Sequence, residues 1–252
     1  MKKFIIFSQS VRGSRAGAER CAESAHEIGE GDDIWFVRSV EPKGLNKWSK
    51  RSGIQMRYRA WGKSRTDFNL MLTPASRLAN GVTHYELYQE ISRMREPVVI
   101  LEHDAIFVAP LPTEVPDKTL VQVSSGTSTQ LNPQSLLTSR RGQRAVTFEE
   151  GFDYDHSWQT RGGLIDHPLP GTNGTSGYII SPHTAAELSS YLRTSGVGFA
   201  DRLRKDHIRE SRLLLQNPQS VVCLHDIRSS DQRRNHSLRN MGDLSRIKFI
   251  AG

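Results

Sequence analysis

Two carboxylates separated by one residue, Glu102 and Asp104, follow an apolar run and offer the clearest chemistry in the chain. The run, Val-Val-Ile-Leu at residues 98–101, is typical of a buried β-strand. Side chains two residues apart in an extended chain point the same way, so we expect this pair to converge on one divalent cation, while His103 faces elsewhere or adds a nitrogen ligand.

Mg²⁺ or Mn²⁺ held by one or two carboxylates keeps coordination positions open for substrate phosphates, which points to nucleotide or nucleotide-sugar chemistry. The alternative interpretation is a strand whose polar end enters a solvated turn, because short acidic pairs are common at strand ends.

The elements that must position this pair alternate between strands and helices. The pattern predicts strands at residues 3–7, 33–37, 98–102, 120–123, 176–181 and 221–225, and helices at 16–28, 74–95, within 183–193 and within 199–215. It predicts a basic, irregular excursion at 38–72 and a long loop at 124–172. This order indicates one α/β domain over residues 1–252, with a mostly parallel sheet, helices on both faces and ligands at the carboxyl ends of the strands.

Three segments follow one another along the chain: a helix with Thr83-His84, the strand end Glu102-His103-Asp104, and the run Gly-Thr-Ser-Gly-Tyr-Ile-Ile-Ser at 174–181. In this order they resemble glycosyltransferase family 25, the group named for lipopolysaccharide-biosynthesis enzymes. The family has Ser-His in the helix, Leu-Glu-Asp-Asp at the strand end and Gly-x-Gly-Ala-Tyr-x-Ile-Ser in the last strand. This chain departs from that pattern at Thr83 and His103.

The resemblance implies a GT-A fold, a nucleotide-sugar donor, a Mn²⁺ or Mg²⁺ cofactor, and a lipopolysaccharide or other glycan as acceptor. It places His84 near the active cleft, although a lone helical histidine is otherwise a packed or surface residue. It aligns Asp201 with a family acid. If transfer inverts the anomeric centre, Asp201 is our first candidate for the base that deprotonates the acceptor, and Asp155 is the second. A helix-capping role is the alternative for Asp201.

Further candidates flank the predicted strand ends. His225 follows the last strand and is either a third metal ligand or a turn residue. Gly174, Thr175 and Gly177 either let the backbone approach the donor sugar or only shape a tight strand entry. Two arginines after the first strand, Arg12 and Arg15, either assist the donor phosphates or lie on the surface.

The charge balance favours polyanionic partners. Lys and Arg number 34 against 27 Asp and Glu, a net charge of +7. Residues 47–65 contain seven cations and no acid, interleaved with Trp48, Tyr58 and Trp61. Cations beside flat rings suit a nucleic-acid backbone with stackable bases, or a phosphorylated glycan. In the alternative, the rings pack inward and the cations are solvated. The candidate acceptor-binding residues are Arg57, Arg59, Trp61 and Lys63.

The acceptor therefore stays open between lipopolysaccharide or another glycan and DNA with hydroxyl-bearing modified bases, with a slight preference for DNA. Two other classes compete with a transferase. A non-catalytic nucleic-acid-binding protein would need the basic segment but neither carboxylate. A metal phosphohydrolase would use the His-Asp pairs at 103–104 and 225–226, but the chain lacks the helical motif expected for paired metal-binding histidines.

The sequence also bears on the cellular location of the protein and on the state of its cysteines. No apolar run reaches the roughly 18 residues that a membrane span requires, and the amino terminus makes a poor signal peptide. We therefore expect a soluble, cytoplasmic protein. The two cysteines, Cys21 and Cys223, lack the spacing of a zinc site or a disulfide framework and are expected to be buried thiols.

Overall fold

The structure, a computed structural model, describes residues 1–11, 13–56, 74–107, 109–124, 163–166, 175–198, 200, 205–217 and 220–223. The strands are β1 (Lys3–Phe7), β2 (Ile34–Arg38), β3 (Val98–Glu102), β4 (Ala105–Phe107), β5 (Thr119–Gln122), β6 (Gly163–Asp166), β7 (Gly177–Ile180), β8 (Arg212–Asn217) and β9 (Val221–Cys223). The helices are α1 (Ser14–Glu27), α2 (Leu45–Ser52), α3 (Pro74–Ile91) and α4 (Pro182–Ser195), with short 3₁₀ turns at Pro42–Gly44 and Lys205–His207.

Seven strands form one sheet in the order β2-β1-β3-β7-β5-β8-β6, and β4 pairs with β9 in a small second sheet. Strand β1 is parallel to β2 and β3, and β5 is parallel to β8. Strand β7 lies antiparallel between β3 and β5, and β6 is antiparallel to β8. Five strands therefore run in one direction, and β6 and β7 run in the other. The sheet is mostly parallel, as predicted.

Alternate residues of the central strands pack into two separate cores. On one face, Ile5 and Leu101 pack with Cys21 of α1. On the other face, Ile100 packs with Tyr88 of α3, in a cluster that also includes Ala185 and Leu188 of α4. Burying a side chain of this size stabilises the fold by about 1.5–3 kcal/mol. The predicted α/β class, with helices on both faces of the sheet, is confirmed.

Local sequence explains where α4 begins. Ser181 is extended, and its hydroxyl accepts a hydrogen bond from the Thr184 backbone N–H at 3.3 Å. Pro182 follows in the first turn, where a helix needs no backbone N–H. Helix α3 begins at Pro74 as predicted but ends at Ile91, not at residue 95. Among the described residues, no helix is both long and apolar enough to cross a bilayer.

The prediction of an irregular excursion at residues 38–72 is wrong for its first part, because α2 lies inside it. Trp48 and Leu45 of α2 pack against Tyr85 and Val82 of α3. Leu45 and Trp48 are the buried residues of α2, and two apolar residues at helical spacing among polar and basic ones are too few to predict a helix from the sequence. Residues 57–73 lie outside the described residues.

The prediction of a helix within residues 199–215 is also wrong in its second half. Residues 205–207 form a 3₁₀ turn, and Leu213, Leu214 and Leu215 belong to β8. These leucines are buried because β8 pairs in parallel with β5. A short leucine run is compatible with a helix or a strand, and pairing with β5 determines that this run forms a strand. Strands β4 and β6 were not predicted.

Candidate functional site

The candidate site forms where α3 crosses the ends of β3 and β7. Ile100 of β3 lies opposite Tyr178 of β7, and Glu102 is the last residue of β3. The Glu102 backbone N–H donates to the Ser176 carbonyl at 3.0 Å, which brings the segment before β7 alongside the carboxylate. This pairing places Glu102 at the carboxyl end of a buried parallel strand, where ligands bind in open α/β sheets.

One oxygen of Glu102 receives three polar contacts. The Asn80 side-chain amide donates to Oε1 at 2.9 Å, and the Thr175 hydroxyl donates to the same atom at 2.5 Å. His84 Nε2 lies 3.4 Å from it. Within the described part of the chain, Glu102 Oε2 receives no hydrogen bond. Among the described contacts, the carboxylate is therefore held through Oε1.

Behind Glu102 runs a chain of buried polar side chains. His84 Nδ1 lies 2.6 Å from the Tyr178 hydroxyl, and that hydroxyl lies 2.8 Å from the Tyr88 hydroxyl. The His84 and Tyr178 rings also stack, with centroids 5.8 Å apart. His84, Tyr88 and Tyr178 are each 1% exposed, so His84 Nδ1 and the two hydroxyls are satisfied by one another and not by bulk water.

The electrostatics favour an ionised Glu102. Burial raises the pKa of Glu102, and the charge of Asp104 acts in the same direction. The contact with His84 and the hydrogen bond from Thr175 lower it by more, so the pKa of Glu102 lies below its usual value. Burial raises the pKa of both Tyr88 and Tyr178. The site at neutral pH thus contains a carboxylate backed by neutral phenols.

Asp104 does not continue the extended strand. His103 and Asp104 form a turn between β3 and β4, so the rule that alternate side chains share a face does not apply to them. Asp104 is buried, and its charge opposes the lowering of the Glu102 pKa; burial, and after it the charge of Asp104, raises the pKa of the Cys21 thiol on α1. The Asp104 carboxylate therefore lies close enough to repel Glu102.

The carboxylate pair fits a hard divalent cation. The described hydrogen bonds to Glu102 fall on Oε1, and a cation beside the carboxylate would offset its repulsion with Asp104. Across the described ranges, no group of three or more His, Cys, Asp or Glu side chains is arranged to hold a metal. Two carboxylates suit Mg²⁺ or Mn²⁺ whose remaining ligands are water and substrate phosphates.

The structure separates the other predicted residues. Thr175 contacts Glu102, and Gly177 pairs with Leu101 of β3. A Cβ on Gly177 would lie 3.2 Å from the side chains of Leu101 and Val221, so this glycine allows close strand packing.

Arg15 is exposed, forms an ion pair with Glu19 at 2.7 Å and lies over the rings of Phe7 and Phe36. The remaining candidates lie outside the described residues: Arg12, Arg57, Arg59, Trp61, Lys63, Asp155, Gly174, Asp201 and His225.

Sequence reasoning missed the contribution of Asn80, Tyr88 and Tyr178. A signal was present, because Asn80, His84 and Tyr88 follow one another at intervals of four and therefore share one face of α3. Nothing in the spacing indicated that Tyr178, 94 residues after His84, would complete the chain.

Comparisons with known proteins give only distant matches. No protein-family model and no curated protein matches the chain. Among solved structures, an active-site mutant of LgtC is similar with a TM-score of 0.33 and 11% identity, over 85% of this chain and 72% of that chain. The galactosyltransferase LgtC in complex with donor and acceptor sugar analogs gives a TM-score of 0.36 and 10% identity, over 96% and 92%. At these values the likeness assigns no activity to this chain, and membership of family 25 stays a prediction.

Proposed function

We propose that this chain is a nucleotide-sugar-dependent glycosyltransferase in which Glu102 and Asp104 hold Mn²⁺ or Mg²⁺ at the donor diphosphate. The observation that supports this best is the state of Glu102. It is an ionised carboxylate at the carboxyl end of a buried strand, fixed through Oε1, and repelled by a second carboxylate two residues on. Such a pair gains most from a divalent cation, and the cation would supply positive charge for the departing nucleoside diphosphate.

The remaining roles belong to the chain's own residues. Asp201 accepts the proton of the acceptor hydroxyl, with Asp155 as the second candidate for this base. Arg12 and Arg15 neutralise donor phosphates beyond the end of β1, and His225 is a further candidate ligand. The backbone at Gly174, Thr175 and Gly177 borders the donor sugar, whereas the Thr175 hydroxyl is already committed to Glu102.

The acceptor is a hydroxyl-bearing polyanion, and the described part of the basic segment favours a glycan over DNA. Trp48, one of the three interleaved rings, is 5% exposed and donates its Nε1–H to Glu86 at 2.8 Å. Arg51 pairs with the same carboxylate at 3.1 Å. The Trp48 ring is thereby withdrawn from any nucleic-acid interface, and Arg51, although exposed, already has an acidic partner. Arg57, Arg59, Trp61 and Lys63 remain the candidate acceptor contacts.

Mass spectrometry tests the proposal directly. The protein is incubated with a panel of nucleotide sugars and either a lipo-oligosaccharide or hydroxymethylated DNA, with Mn²⁺, with Mg²⁺ or with excess chelator. We expect a hexose-sized mass gain on the lipo-oligosaccharide that disappears in chelator and in Asp104→Asn. Asp32→Asn, an exposed change before β2 at the opposite end of the sheet, is the matched control and should retain activity.

Each other outcome has a defined meaning. Full activity in chelator or in Asp104→Asn would refute the metal assignment. Glycosylation of DNA alone would move the acceptor to nucleic acid. DNA binding should then weaken with salt, by about 0.9 in log affinity per log salt for each neutralised phosphate, and the slope should flatten by about two units in Arg57→Ala/Arg59→Ala. Salt-dependent DNA binding without turnover of any donor would indicate a non-catalytic binding protein.

A further inference from the structure

We propose that this chain forms a symmetric dimer in which β2 pairs antiparallel with β2 of a second copy, at the edge of the main sheet. The inference goes beyond the proposed function and does not depend on it, because β1 separates β2 from the strand that carries Glu102. Three features of β2 support it: an outward-facing backbone, two exposed aromatic side chains, and opposite charges at its two ends.

Strand β2 lies at one end of the seven-stranded sheet. It pairs with β1, and across the described ranges no strand lies on its other side. Two hydrogen bonds determine which backbone groups of β2 face β1. The Lys3 N–H donates to the Asp33 carbonyl at 2.9 Å, and the Ser39 N–H donates to the Phe7 carbonyl at 2.8 Å.

The rest of the β2 backbone faces outward. Alternate residues of a strand bond to the neighbour on either side, so the two end bonds imply that Trp35 and Val37 bond to β1. Ile34, Phe36 and Arg38 therefore direct their N–H and C=O groups away from the sheet. A row of such groups is a template for a further strand.

The side chains of β2 leave this edge apolar. Trp35 is 53% exposed and Phe36 is 40% exposed, on opposite faces of the sheet. Both rings keep this exposure although Lys2 lies over the first and Arg15 over the second. The strand contains no proline, and its register with β1 is unbroken, so it lacks two devices that commonly protect an edge.

The opposite edge of the same sheet has such protection. Strand β6 is four residues long, begins at Gly163 with φ 101° and ends at Asp166. Asp166 forms an ion pair with Arg212 at 2.9 Å. A short length, a glycine and paired charges all disfavour the addition of a strand. The contrast between the two edges favours a partner strand at β2.

A second copy fits this edge because the edge is complementary to itself. Asp32 precedes β2, Arg38 ends it, and both are exposed. Within the described part of the chain, neither side chain forms an ion pair. Antiparallel pairing about a two-fold axis brings the start of each strand to the end of the other. Arg38 of each copy then lies beside Asp32 of the other.

The outward backbone also limits the register. The residues with outward-facing groups have even numbers, so even-numbered residues must face one another across the axis. The register that sets Arg38 opposite Asp32 places Trp35 on the axis, facing Trp35 of the other copy. Aromatic pairs and opposite charges across two strands both stabilise a sheet.

The contact is small, so the dimer should be weak and reversible. Strand β2 has five residues, which is less than an interface of standard size requires. Each copy also carries a net charge of +7 and repels the other at a distance. At about 0.15 M salt this repulsion is screened beyond about 8 Å, whereas the contacts at the edge persist.

Sedimentation velocity of the full chain measures the association. At about 0.15 M salt, and from about 1 µM to about 500 µM protein, we expect the 28.4 kDa chain to convert to a species of twice that mass. A monomer over the whole range would overturn the inference.

Single substitutions locate the interface. Trp35→Ala and Arg38→Glu should each weaken the dimer by about 10-fold or more, because each change occurs twice in a symmetric contact. Arg209→Glu, an exposed charge reversal before β8, is the matched control and should dimerise like the wild type. Unchanged dimerisation in Trp35→Ala and Arg38→Glu would overturn the assignment to β2. Circular dichroism verifies the fold of each variant, and Asp32→Lys replaces one that does not fold.

A mixture of two variants tests the antiparallel arrangement. Arg38→Glu sets two acids against each other in its own homodimer, and Asp32→Lys sets two cations against each other. An equimolar mixture restores opposite charges at both contacts, so we expect a heterodimer within about 3-fold of the wild-type affinity. Loss of fold in either variant could not produce this recovery. A mixture that dimerises no better than its separate components would overturn the proposed pairing.

Discussion

Gly81 of α3 lies against the backbone carbonyl of Gly198, so close that a methyl group on Gly81 would overlap that oxygen. The obstacle is backbone and cannot rotate away. We expect Gly81→Ala to destabilise the fold by about 1–3 kcal/mol, because α3 must move outward. Chemical denaturation measures this loss.

Gly44→Ala is the control for that substitution. A Cβ at Gly44 would meet only the Val40 side chain at 4.0 Å, and the backbone there has φ −88° and ψ −13°, which alanine adopts easily. Its unfolding free energy should stay within about 0.5 kcal/mol of the wild type. Equal effects of the two substitutions would contradict a steric role for Gly81.

Acid stability should depend on Glu41, whose carboxylate binds the loop after β1. Burial alone would raise its pKa, but hydrogen bonds from Ser10, Gln9 and Ser8 outweigh burial and hold the pKa of Glu41 below its usual value. A lowered pKa contributes stability that is complete above the unfolded value of about 4.3 and is lost as the pH falls through the folded value.

The measurement compares urea unfolding of the wild type and Glu41→Gln between about pH 7 and pH 3. We expect the variant to be less stable near neutrality and the two free energies to converge below the unfolded pKa of about 4.3. Glu114→Gln, a change of an exposed carboxylate, provides the reference curve. A constant difference between wild type and Glu41→Gln at all pH values would show that the carboxylate's charge is not involved.

Trp48 should matter for stability and not for acceptor binding. It is buried and meets Tyr85 edge to face at 5.9 Å, so Trp48→Ala should cost about 3–5 kcal/mol. Trp35 is 53% exposed, with Lys2 over its ring at 4.9 Å, and Trp35→Ala should cost about 1 kcal/mol or less. Thermal unfolding followed by circular dichroism distinguishes them. Similar losses would contradict the packing of α2 on α3.

Asp201→Asn tests the proposed base. Loss of a positioned proton acceptor should lower the rate of sugar transfer by a factor on the order of 10² or more while leaving donor affinity nearly unchanged. Single-turnover rates and donor titrations give the two quantities separately. An equal loss of donor affinity would make Asp201 a binding or capping residue, and Asp155 would then take the same test.

Much of the framework was readable in the sequence because it depends on neighbouring residues. The apolar runs at Lys3–Phe7 and Val98–Glu102 and the proline-marked starts of α3 and α4 are local signals. The same locality placed Glu102 at a strand end.

Tertiary structure decided what surrounds that strand end. The leucine run of β8 became a strand because β5, roughly 90 residues earlier, offered a parallel edge. Asp104 left the extended path because the chain turns at once into β4, which pairs with β9. His84 faces Tyr178 because α3 crosses β7 at that point. Helical spacing aligned Asn80, His84 and Tyr88 along α3, but only the packing of α3 on the sheet determined which of them meet Glu102, since contacts between distant segments depend on geometry that no local pattern contains.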